Sequence, residues 1–268
     1  MSKFIVSCIQ TNTSTDIQKN ITNLEILIKK AKERKSNLVC LPECTSIISN
    51  SKNELEKFCT TNIFIKFICD VAKKFKIFIL VGSTIVKASR RKFYNRSLVV
   101  NSKGELICFY DKINLFDVIL SKNEKYSESN LYKAGTKLKV ADLPWGKIGL
   151  TICYDVRFPN LYKNLAKKGS IFFSIPAAFT KLTGKDHWHC LIKSRAIENG
   201  CFVFSAAQCG KHDDGRETFG HSLIVDPWGK ILSEGKNRPC VVTAEINLDL
   251  VEESRKRIPA MTDYNSKY

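Results

Sequence analysis

The sequence predicts a layered α/β fold in which two sheets face each other and helices cover the outside. Strand-like apolar runs alternate with amphipathic helical segments near the start of the chain and again in its second half, and a hairpin-like pair between them makes the sheets mixed. No Pro/Gly/Ser-rich linker interrupts the 268 residues, 44% of which are hydrophobic. We therefore expect one domain over residues 1–268, with a core of about 3–250 and a C-terminal helix and tail at 248–268.

The first part of the chain follows the order strand, helix, strand, helix, strand. Thr13 or Ser14 is expected to cap the first helix, whose apolar residues form one stripe. The turn at 101–104 (NSKG) then joins two strands into an antiparallel hairpin. The predicted elements are strand 3–9, helix 13/14 to about 35, strand 37–41, helix 53–76, strand 77–84, and hairpin strands 93–100 and 106–110.

The second part begins with a polar stretch at 117–135 that has little periodicity. A loop of this length in a compact domain is more often functional than not. The run GLTICYD at 149–155 then predicts a strand that stops at Cys153. The remaining predicted elements are helix 159–169, strand 171–175, helix 186–199, strands 201–207 and 221–225, turn 226–229, strand 241–246 and helix 248–257.

The charge balance is strongly basic, with 43 Lys and Arg against 26 Asp and Glu, a formal net charge of +17. Residues 87–96 (KASRRKFYNR) give the best local support for nucleic-acid binding. The lysines, however, are spread over nearly every segment. We expect a solvated basic surface that also steers an anionic small substrate, with no nucleic-acid partner.

The 11 cysteines are scattered, and none falls in a C-x-x-C pair. The N-terminus is too short and polar for a signal peptide, and no apolar run approaches the ~18 residues of a spanning helix. We expect reduced thiols, a cytoplasmic location and no membrane partner.

Three predicted strand ends carry reactive groups: Glu43 after LVCLP, Lys112 after LICFYD and Cys153 after KIGLTI. Ligands collect outside the carboxyl ends of strands in α/β sheets, and a thiol at a helix N-terminus has its thiolate favoured. The local sequence around Cys153 is equally compatible with a packed core cysteine. The combination of the three groups favours a catalytic site.

Histidines could support two other kinds of site, a cysteine–histidine catalytic pair or a metal site. The chain has four histidines, and none follows a predicted strand end as Glu43 does. His187, His189 and Cys190 share one short helical segment without a partner pair of ligands elsewhere, so we expect no metal.

Six sequence words occur in order across residues 3–260 and resemble the nitrilase (carbon–nitrogen hydrolase) superfamily: LPE, YDKINLFD, GKIGLTICYDVRFPNLY, HWHCLIKSRAIENGCFV, AAQCG and GHSLIVDPWG. The resemblance implies a four-layer α-β-β-α sandwich, a homodimer, no cofactor and hydrolysis of a linear amide. It implies Cys153 as nucleophile, Glu43 as general base, Lys112 as oxyanion stabiliser with the Tyr154 N–H, and Glu128 in a supporting role. His189 departs from the family, in which glutamate commonly follows His-Trp.

CYDVRFP and PAAFTKLTG fit two branches, the deaminated-glutathione amidases and the ω-amidases. In both, Arg157 would grip a substrate carboxylate, and Phe179 and Thr183 would line the pocket. The segment AAQCGKHDDGRETFGHS resembles the first branch, which implies cleavage to 2-oxoglutarate and cysteinylglycine, with Gln208, Cys209 and Lys211 near the pocket mouth. The alternative is an ω-amidase acting on 2-oxoglutaramate, 2-oxosuccinamate or another small carboxylate-bearing amide.

Overall fold

A computed structural model describes residues 2–122 and 124–261, and it contains two six-stranded sheets flanked by helices. The first sheet has the order β16-β1-β2-β3-β4-β5, and the second has the order β15-β14-β11-β10-β9-β8. The predicted α/β sandwich is confirmed. The strands are β1 Lys3–Gln10, β2 Leu38–Cys40, β3 Phe78–Lys87, β4 Phe93–Val100, β5 Leu106–Asp111, β6 Asp117–Ile119, β7 Lys125–Ser127, β8 Val140–Leu143, β9 Gly146–Leu150, β10 Ser170–Ser174, β11 Phe202–Ser205, β12 Cys209–Lys211, β13 Glu217–Phe219, β14 Leu223–Val225, β15 Ile231–Glu234 and β16 Cys240–Asn247. The helices are α1 Ile17–Glu33, α2 Lys52–Cys59, α3 Ile63–Phe75, α4 Pro159–Lys167, α5 Lys181–Asn199 and α6 Asp249–Arg257.

The two sheets pack face to face through aromatic side chains. The Phe4 ring from β1 lies 5.5 Å from Phe172 of β10, 6.4 Å from Phe204 of β11 and 4.4 Å from Trp145. Full burial of such a side chain is worth roughly 1.5–3 kcal/mol. This layer therefore fixes one sheet against the other and sets the relative positions of the strand ends.

Helices cover the outer face of each sheet. The buried stripes of α1 and α3 pack on the first sheet around Val39 and Ile79. The helices α4 and α5 pack on the second sheet, where Trp188 of α5 is fully buried. The result is the expected order helix, sheet, sheet, helix. No helix among the described residues is long and apolar enough to cross a bilayer.

The predicted helix over 53–76 is wrong in one respect, because it is two helices. The Thr60 and Thr61 hydroxyls donate to the carbonyl oxygens of Lys57 and Phe58 at 2.7 and 3.1 Å. Hydroxyls that occupy these carbonyls end a helix. The chain turns there, and α3 restarts after Asn62.

Three smaller predictions also need correction. Asp16 caps α1 in place of Thr13 or Ser14, since its carboxylate accepts from two first-turn N–H groups. The polar stretch 117–135 contains the short hairpin β6–β7 and a 3₁₀ turn. The strand before Cys153 ends at Leu150, so Cys153 begins a separate 3₁₀ turn, Cys153–Arg157.

Candidate active site

A cavity of about 470 Å³ opens where strand ends from both sheets meet. Glu43 follows β2, Lys112 follows β5, and Cys153 lies three residues beyond β9. All three side chains line the cavity. Their separate positions in the sequence converge because carboxyl ends of strands share one edge of the sandwich. We call Glu43, Asn95, Lys112, Glu128 and Cys153 the cavity floor.

The turn that carries Glu43 is fixed by the neighbouring strand β3. Cys44 donates its N–H to the Ser83 hydroxyl at 2.8 Å, and the Thr45 N–H donates to the Ser83 carbonyl at 3.0 Å. Gly82 makes this approach possible, because a Cβ there would lie 2.1 Å from the Leu41 carbonyl oxygen. Any side chain at 82 would push the turn away.

A buried ion-pair network connects the three charged residues of the floor. The Lys112 Nζ donates to Glu43 Oε1 at 2.9 Å and to Glu128 Oε2 at 2.8 Å. The Asn95 amide donates to both carboxylates, at 2.9 and 3.1 Å. Glu43 Oε2 also accepts from the Ala178 N–H at 2.8 Å. Because every carboxylate of the network is hydrogen-bonded, the side chains are held in single positions.

Cys153 adopts an uncommon backbone conformation, with φ of +49°. Its N–H donates to the Pro176 carbonyl at 2.8 Å, which ties it to the segment after β10. The thiol faces the Glu43 carboxylate, which raises the pKa of the thiol. Backbone strain of this kind clusters at functional sites, where it presents a side chain in a required direction.

Asp155 fixes the turn that starts at Cys153. One carboxylate oxygen accepts from the Ile152 N–H at 2.9 Å and the Tyr110 hydroxyl at 2.7 Å, and the other accepts from the Asn114 N–H at 3.0 Å. Tyr110 and Asn114 lie on either side of Lys112. One buried carboxylate thus couples the cysteine turn to the segment that carries the lysine.

The pKa directions define the resting charges of the floor. Burial and the charge of Glu43 raise the pKa of the Cys153 thiol well above its usual value. Burial acts to raise the pKa of Glu43, but the charge and hydrogen bond of Lys112 lower it overall. Burial acts to lower the pKa of Lys112, but the two glutamates raise it well above normal. The expectation that the local environment favours the thiolate is therefore corrected: the thiol is protonated at rest beside an ionised carboxylate.

A carbon-nitrogen hydrolase family model matches residues 5–256. The chain belongs to the carbon-nitrogen hydrolase family. It is 39% identical to the deaminated glutathione amidase of Dictyostelium discoideum over 93% of this chain and 90% of that protein. It is 36% identical to the enzyme of the same name from Synechocystis over 97% of this chain and 98% of that protein.

Solved structures extend the likeness. The Caenorhabditis elegans NitFhit protein superposes with a TM-score of 0.93 at 34% identity, over 99% of this chain and 66% of that one. Saccharomyces cerevisiae Nit3, a nitrilase-superfamily member, gives 0.88 at 30% identity, over 99% of this chain and 97% of that one.

The other predicted pocket residues of this carbon-nitrogen hydrolase separate into two groups. Tyr154, Phe179 and Thr183 line the cavity. Arg157 lies outside the lining residues: its guanidinium sits 5.2 Å above the Phe179 ring, with Nη2 3.2 Å from His187 Nδ1. Arg157 therefore contacts a side chain of the cavity wall without lining the cavity itself, and its role in substrate binding stays a prediction.

The segment predicted at the pocket mouth is placed differently. Gln208 is fully buried, and its amide donates to the Glu43 carbonyl at 2.8 Å. Cys209 is also buried, whereas Lys211 is exposed. Gln208 thus supports the Glu43 turn from behind, because the chain enters the short hairpin β12–β13 at this point.

Sequence reasoning missed several polar residues of the cavity, among them Asn95 and Arg216. Asn95 lies inside a regular hairpin strand, where nothing in the pattern marks it. Arg216 lies on a loop and donates to Asp214 at 2.9 Å and to Asn50 at 2.9 Å. We call Asn50, Lys125, Asp214, Arg216 and Glu217 the cavity rim; they border an outer depression of about 540 Å³ next to the cavity.

Proposed function

We propose that this protein is an amidase that cleaves deaminated glutathione into 2-oxoglutarate and cysteinylglycine through a cysteine thioester. The observation that carries the proposal is the convergence of Glu43, Lys112 and Cys153 on one cavity, in a chain similar to amidases of that name. The resting charges fit the chemistry, because an ionised base faces a protonated nucleophile.

In the first step, Glu43 takes the thiol proton as Cys153 attacks the amide carbon. A C–S bond forms, and the carbonyl π electrons move to oxygen. Lys112 stabilises this oxyanion together with the N–H of Tyr154, which lies in the first turn of a 3₁₀ helix, where N–H groups lack intrahelical partners. Losing one such donor typically costs on the order of 10²–10³ in rate.

The intermediate then collapses. The C–N bond breaks, and the proton on Glu43 passes to the departing amine of cysteinylglycine. Glu43, ionised again, takes a proton from water as the water attacks the thioester. The C–S bond breaks, 2-oxoglutarate leaves, and the proton returns to the Cys153 thiolate. One carboxylate thus serves all four proton transfers, which requires it to stay in place throughout.

Glu128 and Asn95 are positioning residues in this scheme. Glu128 accepts from Lys112 and from the Phe116 N–H at 2.7 Å, so the lysine is held between two carboxylates. Asn95 donates to both carboxylates and keeps them apart. Without these contacts, the Lys112 ammonium would pair with Glu43 alone, and Glu43 would then accept the thiol proton less readily.

The shape and charge beyond the floor support a substrate with a long leaving group. Arg216 lines both the inner cavity and the outer depression, which also contains Lys125, Lys181 and Lys185. Deaminated glutathione carries a second carboxylate on its glycine, whereas 2-oxoglutaramate releases only ammonia. We assign Arg216 to the glycine carboxylate, since guanidinium binds carboxylates well. Arg157, Phe179 and Thr183 are assigned to the 2-oxoglutaryl end.

A substrate panel with the purified protein tests this function. Cysteinylglycine release from deaminated glutathione is compared with ammonia release from 2-oxoglutaramate, with Cys153→Ala as the blank. We expect the higher kcat/KM for deaminated glutathione. A higher value for 2-oxoglutaramate would reassign the protein to the ω-amidase alternative, and activity on neither would refute both.

We also propose that the chain forms a single domain, that two chains associate as a homodimer, and that the protein is cytoplasmic. Large apolar side chains are exposed near α4 and α5, among them Phe158, Ile197 and Trp228, and the Ile197 side chain approaches Gly229 beside Trp228. Exposed apolar side chains that lie close together, as Ile197 and the turn at Trp228 do, favour a partner surface. The 11 free cysteines fit a reducing compartment. Light scattering after gel filtration would distinguish a dimer from a monomer.

A further inference from the structure

A cluster of metal-ligating side chains lies outside the cavity lining, although no metal site was predicted from the sequence. His189 from α5, His221 from the segment before β14, and Glu234 at the end of β15 converge, with their donor atoms all within 4.8 Å of one another. The prediction that His189 has no partner ligands elsewhere is wrong, and neither His187 nor Cys190 belongs to this group. We propose that His189, His221 and Glu234 form a binding site for Zn²⁺ or a similar divalent transition metal.

The donor set and its geometry suit such an ion. Two imidazoles and one carboxylate, with an open fourth position, form a common zinc ligand set. Glu234 Oε1 lies 2.9 Å from His189 Nε2 and 2.7 Å from His221 Nδ1. Tetrahedral zinc would hold two of its ligand atoms about 3.4 Å apart. Each of these two histidine–glutamate distances would therefore lengthen by roughly 0.6 Å on binding. The three side chains are 26% to 35% exposed, which leaves space for water as the fourth ligand.

The alternative to a metal site is a pair of histidines that are hydrogen-bonded to one carboxylate. That arrangement uses a single oxygen, Oε1, for both rings. It requires the proton on the nitrogen that faces Glu234 in each ring, whereas a metal requires the other tautomer. The metal site and the hydrogen-bonded arrangement therefore differ in whether a divalent cation replaces these two hydrogen bonds.

The framework around the cluster is already ordered. The Phe219 ring stacks on His221 at 4.3 Å and meets His189 edge-on at 6.1 Å. The Trp188 Nε1 donates to the His221 carbonyl at 2.7 Å, and His221 has a left-handed φ of +54°. Ligands that are held in place before binding lose less entropy when the ion arrives.

The same framework reaches the cavity wall. The Phe219 N–H donates to the Phe179 carbonyl at 2.9 Å, and Trp188 packs 5.0 Å from the Phe179 ring. Phe179 lines the cavity. A bound metal would tie α5 to β15 behind this wall. None of the three proposed ligands is among the described residues that line the cavity, so the ion would act on the position of this wall.

The test measures metal binding directly, in a Cys153→Ala background that removes the catalytic thiol as a competing ligand. Zn²⁺ is titrated calorimetrically, and Co²⁺ is titrated for the visible absorption that tetrahedral nitrogen and oxygen ligands produce. The ligand variants are His189→Gln, His221→Gln and Glu234→Gln. The matched controls are His187→Gln and Cys190→Ser, which remove neighbouring donors outside the cluster. Circular dichroism verifies that each variant folds.

We expect one zinc ion per chain in the parent protein and in both controls. Each ligand variant should bind at least about tenfold more weakly, since losing even an outer-shell partner of a metal site costs 10–100-fold. No binding in the parent would overturn the proposal, as would loss of binding in Cys190→Ser with retention in His189→Gln. Because metal binding is the readout, this result is independent of which amide the enzyme cleaves.

Discussion

The floor and the rim of the cavity are built on different principles. On the floor, Lys112 is 2% exposed, and Glu43, Asn95 and Glu128 are all hydrogen-bonded to it or to one another. On the rim, the Arg216 side chain is 21% exposed, and it donates hydrogen bonds to two other rim residues, Asp214 and Asn50. The floor is a closed network, whereas the rim is an open one.

This difference separates chemistry from recognition. Charges in the closed network act at low dielectric and shift one another's pKa values, as the Cys153 thiol and Lys112 illustrate. The partly solvated rim has weaker electrostatics, so it discriminates substrates without changing the reaction. The comparison predicts that floor variants lower kcat and that rim variants raise KM.

The largest effect is expected from Cys153→Ala, because no other group on the floor can form the thioester. We expect a loss of at least about 10⁴-fold in kcat, with an unchanged circular dichroism spectrum. Amide cleavage is followed by cysteinylglycine release. Cys190→Ser, an exposed thiol on α5, is the matched control and should retain full activity. An active Cys153→Ala protein would remove the mechanism.

Glu43→Gln should have the second-largest effect, a loss of about 10²–10⁴-fold in kcat. The amide is nearly the same size but cannot accept the thiol proton. In the parent enzyme, the lowered pKa of Glu43 places the acid limb of kcat/KM below about 4.3, the usual glutamate value. The exposed Glu245→Gln is the control. A near-parental rate for Glu43→Gln would reassign the base.

Asn95→Ala tests whether the floor depends on its neutral member. The change removes hydrogen bonds to two carboxylates, and bonds to charged groups are worth about 1.5–3 kcal/mol. We expect kcat to fall about 10- to 100-fold while KM changes little. A rise in KM with unchanged kcat would place Asn95 in recognition and break the division between floor and rim.

The sequence predicted the floor better than the rim, and the reason is physical. Glu43, Lys112 and Cys153 follow strands, and strand ends meet at one edge whatever the loops do. Arg216 reaches the cavity only through the path of a loop, and His221 meets His189 only through packing of α5 against the β13–β14 segment. Asn95 sits on a regular strand, so its role depends on which partners the sheet brings opposite it.

Arg216→Lys sharpens the comparison on the rim side. Lysine keeps the charge but loses the fork that engages a carboxylate with two donors. We expect KM for deaminated glutathione to rise about tenfold, with little change in kcat or in the kinetics of 2-oxoglutaramate, which lacks the glycine carboxylate. Lys103→Gln, in the exposed turn between β4 and β5, is the control. An equal effect on both substrates would contradict the assigned subsite.

The smallest effect concerns His212, which supports the rim from behind. Its Nδ1 donates to the Thr13 carbonyl at 2.8 Å, and its Nε2 lies 2.8 Å from the Thr218 hydroxyl. Burial lowers the pKa of His212.

The unfolded chain therefore takes up this proton at higher pH than the folded protein. Stability should fall as pH drops below about 6.5, the unperturbed value, by at most about 1.4 kcal/mol per unit from this group. Urea unfolding between pH 7.5 and 5.5 measures the slope. His212→Gln should flatten it, and equal slopes in the parent protein and this variant would show that the rim support does not titrate.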